Sequence, residues 1–382
     1  MKNFSTKGTR RQFLGAVTAA GVASMTRPAA SAPAQAAKIL TTKTISQQAE
    51  LYCGWPTLAR RSNGQLVLAW SGGRESHVCP FGRVEFMRSS DEGETWSWPR
   101  VLSDTAIDDR DAGVVETAKG TLLVTTFTSL AFESVFPKGD AARVARWKAA
   151  QGRTSADERK KQLGEWMLRS TDGGITWSAP YRTGVNSPHG PISLKGGRLL
   201  YAGKELWHGE NRIGVCESTD DGQTWNWLAT IPTRPGDRHR DYHELHAAEC
   251  ESGKLVVHIR NHNGATSRET LQTESTDGGK TWTVPHSIGV WGLPSHLLRL
   301  RDGRLLMSYG HRRPPFGNQA RVSSDDGATW SAPLTISKDG AGGDLGYPST
   351  VELEGGDLLT VWYEKMRSTP RAVLRQARWR LE

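Results

Sequence analysis

Five copies of one octapeptide restrict what this chain can fold into. They begin at Ser89, Ser170, Ser218, Ser275 and Ser323 and share the pattern S-x-D-x-G-x-T-W. Each fixed position has a physical reason. The aspartate accepts hydrogen bonds from backbone N–H groups of its own turn. The glycine admits a positive φ. The tryptophan is a large apolar plug suited to the gap between packed sheets. Trp96, Trp177, Trp225, Trp282 and Trp330 are therefore expected to be buried at equivalent sites.

A fainter repeat runs beside the first. N-G-Q-L-V-L at Gly64, K-G-T-L-L-V at Gly120, G-G-R-L-L-Y at Gly197, S-G-K-L-V-V at Gly253, D-G-R-L-L-M at Gly303 and G-G-D-L-L-T at Gly356 each read as strand, tight turn, strand. Their spacings are 56, 77, 56, 50 and 53 residues. Six hairpins at such intervals predict an all-β fold, a six-bladed β-propeller of four-stranded antiparallel blades over residues 38–382. The long interval holds a charged, helix-prone stretch at 133–166, expected as a helical insertion in blade two, either a lid over the channel or a decorated loop. The chain ends soon after the sixth hairpin. Residues 38–47 are thus expected to supply the last blade's outer strand and close the ring.

Residues 1–37 read differently. Thr9-Arg10-Arg11-Gln12-Phe13-Leu14 is a twin-arginine pattern, a short apolar run follows, and Ala34-Gln35-Ala36 suits a signal peptidase. A cleaved twin-arginine signal is expected, with the protein periplasmic or secreted and no membrane attachment afterwards. The formal charge of +9 includes five basic residues and no acids in residues 1–36, so 9 − 5 = +4 remains. That balance excludes a nucleic-acid binder and suits an anionic ligand. Cys53, Cys79, Cys216 and Cys250 lack zinc-site spacing and are expected as buried thiols.

The hairpins also serve as a ruler. In a propeller the first strand of each blade lines the central channel. Nine residues before each hairpin glycine stand Trp55, Asp111, Pro188, Glu244, Pro294 and Tyr347, with Arg110, His189, His243 and His296 beside them. Titratable residues thus gather at equivalent points of different blades. His189 and His296 are candidates for contact with hydroxyl groups of a ligand in the channel.

With these residues in place, the chain resembles the sialidase superfamily of Asp-box propellers. That family uses a tyrosine nucleophile paired with a glutamate, and arginines that grip a substrate carboxylate. Tyr347 in G-Y-P-S-T-V resembles the nucleophile and Glu244 in H-E-L-H-A-A the glutamate that activates it. Trp362-Tyr363-Glu364 resembles the family's terminal tyrosine–glutamate pair. Arg74, Arg260 and Arg312 resemble its substrate-binding arginines. A neutral tyrosine suits a substrate whose anomeric carbon bears a carboxylate, because it avoids like charge. Two positions depart from the pattern. Gly54 stands where the family has its first arginine, and Arg110 occupies the equivalent register of blade two. No aspartate follows Arg74, so Glu75, His77 and Asp111 are the candidate acid/base groups.

The resemblance implies a retaining exo-glycosidase acting on a terminal acidic sugar of a glycan, sialic acid foremost, with no cofactor and no metal. A hydrolase of another acidic sugar such as a uronide is the second reading. An exported glycan-binding propeller without catalysis is the third.

Overall fold

The structure is a computed structural model and describes residues 36–48 and 50–382. The export signal expected over 1–37 lies almost wholly outside the described residues. Six four-stranded sheets make up the described chain. All strand pairs are antiparallel, from Tyr52–Arg60 paired with Leu66–Arg74 in blade one to Leu345–Glu352 paired with Leu358–Lys365 in blade six. The inner strands of blades one, two and six alternate little and are buried on both faces, because one face meets the channel and the other a neighbouring blade. The ring closes as expected. Ala37–Thr44 pairs with Ala372–Leu381 and becomes the outer strand of blade six.

The octapeptides sit at the turns between third and fourth strands, on the side opposite the channel mouth. In the first copy, Asp91 Oδ1 accepts from the Ser89 hydroxyl at 2.7 Å and from Thr95 N–H at 2.9 Å, while Gly93 N–H donates to Ser89 Oγ at 2.8 Å. The other copies repeat the Ser–Asp and Gly–Ser bonds. Gly222 has φ +80°, and a Cβ there would meet a Leu123 methyl at 2.5 Å, so the turn needs glycine on two counts. The tryptophans correct one expectation. Only Trp282 is fully buried; Trp96, Trp177, Trp225 and Trp330 are half-buried. Each covers the edge of an adjacent sheet from the periphery, which leaves one indole edge facing water.

The blade-two insertion holds two helices, α1 (Ala141–Gln151) and α2 (Ala156–Gln162). It docks on blade one through Phe132 and Trp147, which form a small core with Cys79 and Ile107. All four cysteines are free and buried.

Candidate active site

Three of the six ruler positions share an unusual backbone. Trp55, Asp111 and Tyr347 have φ of 54°, 46° and 51°, in the left-handed region. Each lies where the inner strand slips register against its partner: between Gly54 and Thr57, Arg110 and Gly113, and Gly346 and Ser349. A bulge of this kind breaks the strand's alternation and turns its side chain toward the channel. Strain of this order persists where the surroundings hold it in place.

At the centre the Tyr347 hydroxyl donates to Glu244 Oε1 at 2.5 Å. Arg260 flanks the pair rather than separating it. Its Nη1 donates to Glu244 Oε1 at 2.7 Å and to the Tyr347 oxygen at 3.0 Å, and its Nε donates to His262 Nε2 at 2.7 Å. Burial pushes the Glu244 carboxyl up, but the Arg260 charge, His243 and the Tyr347 bond outweigh it and hold the group at about 2. Burial, and then the Glu244 charge, push the Tyr347 phenol well above its usual value. The pair is thus a neutral phenol pointing its proton at an ionised carboxylate. Tyr363 lies behind Tyr347, with ring centroids 5.9 Å apart, and donates to Asp344 Oδ1 at 3.2 Å. Glu364 instead turns away to Trp362 and Arg375.

The three acid/base candidates part company. Glu75 is engaged: Arg146 binds both its oxygens at 2.9 and 2.7 Å and Trp147 Nε1 donates at 2.9 Å. The Arg146 bond holds its carboxyl low, so Glu75 is a dock for the insertion and not a proton donor. His77 is half-exposed, set edge-on to Trp55 at 5.0 Å, with Nδ1 3.0 Å from Asp344 Oδ1. Asp111 is buried, and burial raises its carboxyl to about 7, with Arg110 opposing and Glu244 adding. Its Oδ1, Asn186 Nδ2 and Glu244 Oε2 have no hydrogen-bond partner. Asp111, Asn186 and Glu244 line one cavity of about 110 Å³ with Lys204 and His243. Sequence reasoning passed over Asn186; Lys204 is the last residue of the strand Leu199–Lys204.

The arginines are also sorted by their partners. Arg74 corrects its assignment: it is fully buried, with Nη1 and Nη2 on the Asp108 carboxylate and further bonds to Ser71 Oγ and the His77 carbonyl. A guanidinium so saturated holds the blade-one loop and has no free fork for a ligand. Arg110 lies flat over the Trp55 ring at 4.3 Å, beside the channel, and its nearest carboxylate contacts are long, at 3.5 Å to Asp108 and 4.0 Å to Asp111. Arg312 lies 5.7 Å from the Tyr347 ring centre, and its Nε and Nη2 are buried without partners. Arg260 and Arg312 line a second cavity together with His262 and Arg268. Arg268 was not legible in the sequence. It sits in a loop with φ 75°, and among the described residues its guanidinium enters no ion pair.

His189 and His296, expected to meet substrate hydroxyls, lie deeper in the channel. With His246 they form a cluster with ring centroids 4.5–5.3 Å apart. Leu297 N–H donates to His246 Nδ1 at 2.9 Å, and Thr57 Oγ1 stands 3.3 Å from His189 Nδ1. Burial lowers His189 to about 3 and keeps His246 and His296 well below the usual imidazole range. Burial also lowers His243, His258 and His262. Below pH 6.5 the unfolded chain takes up protons on these six that the folded protein refuses, so stability is lost as pH falls. The carboxyls that burial raises, Glu85, Asp109, Asp111 and Glu364, act oppositely, but they are four against six. The melting temperature is therefore expected to drop steadily between pH 7 and 5 in thermal denaturation, and His296→Asn to shallow the slope. A constant or rising melting temperature over that range is the contrary outcome.

Comparison with known proteins adds three findings. The family model described as a BNR repeat-like domain matches residues 143–360. A sialidase of Bacteroides fragilis is 26% identical over 314 residues, which cover 74% of this chain and 54% of that protein. The chain thus spans about half the length of that curated relative. Among solved structures, a protein of unknown function from Dyadobacter fermentans superposes with a TM-score of 0.73 at 23% identity, covering 92% of this chain and 100% of that one. The intramolecular trans-sialidase of Ruminococcus gnavus, in complex with oseltamivir carboxylate, gives 0.62 at 15% identity, covering 86% and 94%. At these identities the two structures speak to the fold.

Proposed function

This chain belongs to the BNR repeat-like family of sialidase-type propellers, and from that membership we propose that it is an exported, retaining exo-glycosidase that removes a terminal carboxylate-bearing sugar from glycans. The observation that carries the reading is the 2.5 Å bond between Tyr347 and Glu244, a neutral nucleophile already aimed at its proton acceptor.

The chemistry follows from that pair. The Tyr347 oxygen attacks the anomeric carbon and its proton passes to Glu244. The glycosidic C–O bond breaks as Asp111, protonated up to about pH 7, gives its proton to the leaving oxygen. Water then attacks the anomeric carbon, its proton returning to Asp111, and Tyr347 recovers its own from Glu244. Retention results from two displacements. Arg260 holds the ionised Glu244 in place before attack, and the free faces of Arg312 and Arg268 suit the substrate carboxylate. Gly54 removes an arginine from blade one, while Arg268 brings one from blade four. That shift in the cationic side supports an acidic sugar other than sialic acid as a second reading.

Arg312→Met tests the anion site. Losing a charge-assisted contact costs about 1.5–3 kcal/mol, on the order of ten- to hundredfold in affinity. Binding of free N-acetylneuraminic acid and glucuronic acid, measured by calorimetry, should weaken to that extent for whichever acid the wild type holds. The methyl ester of the same sugar should bind both proteins alike. Equal loss for acid and ester would remove the carboxylate from the reading.

A further inference from the structure

The blade-two insertion carries an excess of positive charge. Residues 131–163 carry eight Lys and Arg and four Asp and Glu, a net of 8 − 4 = +4. Residues 37–382 as a whole carry 44 and 40, also +4, so the rest of the propeller is neutral. Within the insertion, three of the four acids are tied up in local hydrogen bonds at helix ends, and Asp157 is exposed on the first turn of α2. Asp140 caps α1 by accepting from Arg143 N–H at 2.9 Å, Glu158 closes a capping box with Ser155, and Glu133 binds Gln151. The cations are not so engaged. Lys138, Lys148, Arg153, Lys160 and Lys161 are exposed, and among the described residues none of them enters an ion pair.

The insertion is also firmly placed. Trp147 is wholly buried against blade one, and Glu75 receives Arg146 and Trp147. Glu75 is two residues from His77, whose ring stands against Trp55 in the channel wall. The insertion is therefore anchored, through α1, next to the blade-one residues that lead into the channel wall.

We propose that this insertion is a docking surface for the body of an acidic polysaccharide whose terminal sugar enters the channel. The proposal rests on the reading of the channel as an acidic-sugar site. Five exposed cations without an ion pair, in an insertion of net charge +4, attract a polyanion over about a Debye length, roughly 8 Å at physiological salt. A single sugar in the channel does not reach them, but successive charged units of a chain do.

The test is binding by the described protein with Tyr347→Phe, so that turnover does not intervene, to fluorescein-labelled polysialic acid and hyaluronan. The fourfold variant Lys148→Gln, Arg153→Gln, Lys160→Gln, Lys161→Gln is compared with it. Expected are binding of at least one polymer that weakens with added salt, a loss of roughly tenfold in the variant with a flatter salt dependence, and unchanged binding of the monosaccharide. Equal polymer affinity in both proteins overturns the proposal, as does failure to bind either polymer. So does binding of duplex DNA or phosphatidylglycerol vesicles in preference to both. Circular dichroism checks that α1 and α2 persist. An inactive propeller that still binds the polymers through this face would sink the enzyme reading and leave the docking surface standing.

Discussion

Tyr347→Phe is expected to lower turnover of glycosides with poor leaving groups by about a thousandfold or more, with the fold retained. The substitution deletes one oxygen. The ring keeps its neighbours Trp55, His189 and Tyr363, at 6.4, 6.3 and 5.9 Å between centroids. Stability loses one charge-assisted hydrogen bond, about 1.5–3 kcal/mol, while Glu244 keeps its partner Arg260. Catalysis loses the bond-forming atom. Glu244→Gln should behave similarly, because the phenol then has no anionic acceptor. The double variant should cost little more than either single one, since the two groups act as a unit. Turnover and melting temperature measured on the same samples decide the matter. A Tyr347→Phe protein that still hydrolyses poor leaving groups at the wild-type rate removes the nucleophile from Tyr347.

Asp111→Asn is the second large effect. Asparagine preserves the size and the buried position but has no acidic proton. Activity toward substrates with alkyl or sugar leaving groups should fall by roughly 10²–10⁴. Activated aryl glycosides, whose leaving oxygen needs little protonation, should lose far less. In the wild type, kcat should decline as pH rises through about 7, where Asp111 gives up its proton, and the variant should lose that alkaline limb. Should His77→Gln, rather than Asp111→Asn, discriminate between the leaving groups, the proton would come from the histidine that leans on Asp344.

The blade count and the channel register were readable because both rest on local chemistry that repeats. Ser–Asp–Gly–Thr bonds close within a few residues, and the hairpin glycines mark the strand phase. Counting nine residues back reached Trp55, Asp111 and Tyr347 because each blade spends the same number of residues between bulge and turn. The allotment of partners was not readable. Arg74 is neutralised by Asp108, 34 residues on and in the next blade, and Glu75 by Arg146, 71 residues on in an insertion with no counterpart elsewhere. Arg268 was missed for the same reason: it sits in a loop between Asn261 and Glu269 that follows no repeat, held by backbone bonds to Asn261 and Gly292. Charge pairing across blades is a property of loops, and periodicity carries no information about them.

The pairing of Ala37–Thr44 with Ala372–Leu381 has a kinetic consequence. Ala37–Thr44 waits for Ala372–Leu381, made more than three hundred residues later, so the seam is among the most non-local contacts of the described residues. Five blades can assemble from neighbouring segments as they appear, yet the sixth is unfinished until Ala372–Leu381 has been made. Contacts of such separation are slow to form, and exposed strand edges in the interval invite wrong partners. Once closed, the seam works in the opposite sense. A sheet whose strands come from both ends of the described residues ties its first strand to its last, so parting Ala37–Thr44 from Ala372–Leu381 is one step by which the ring would open.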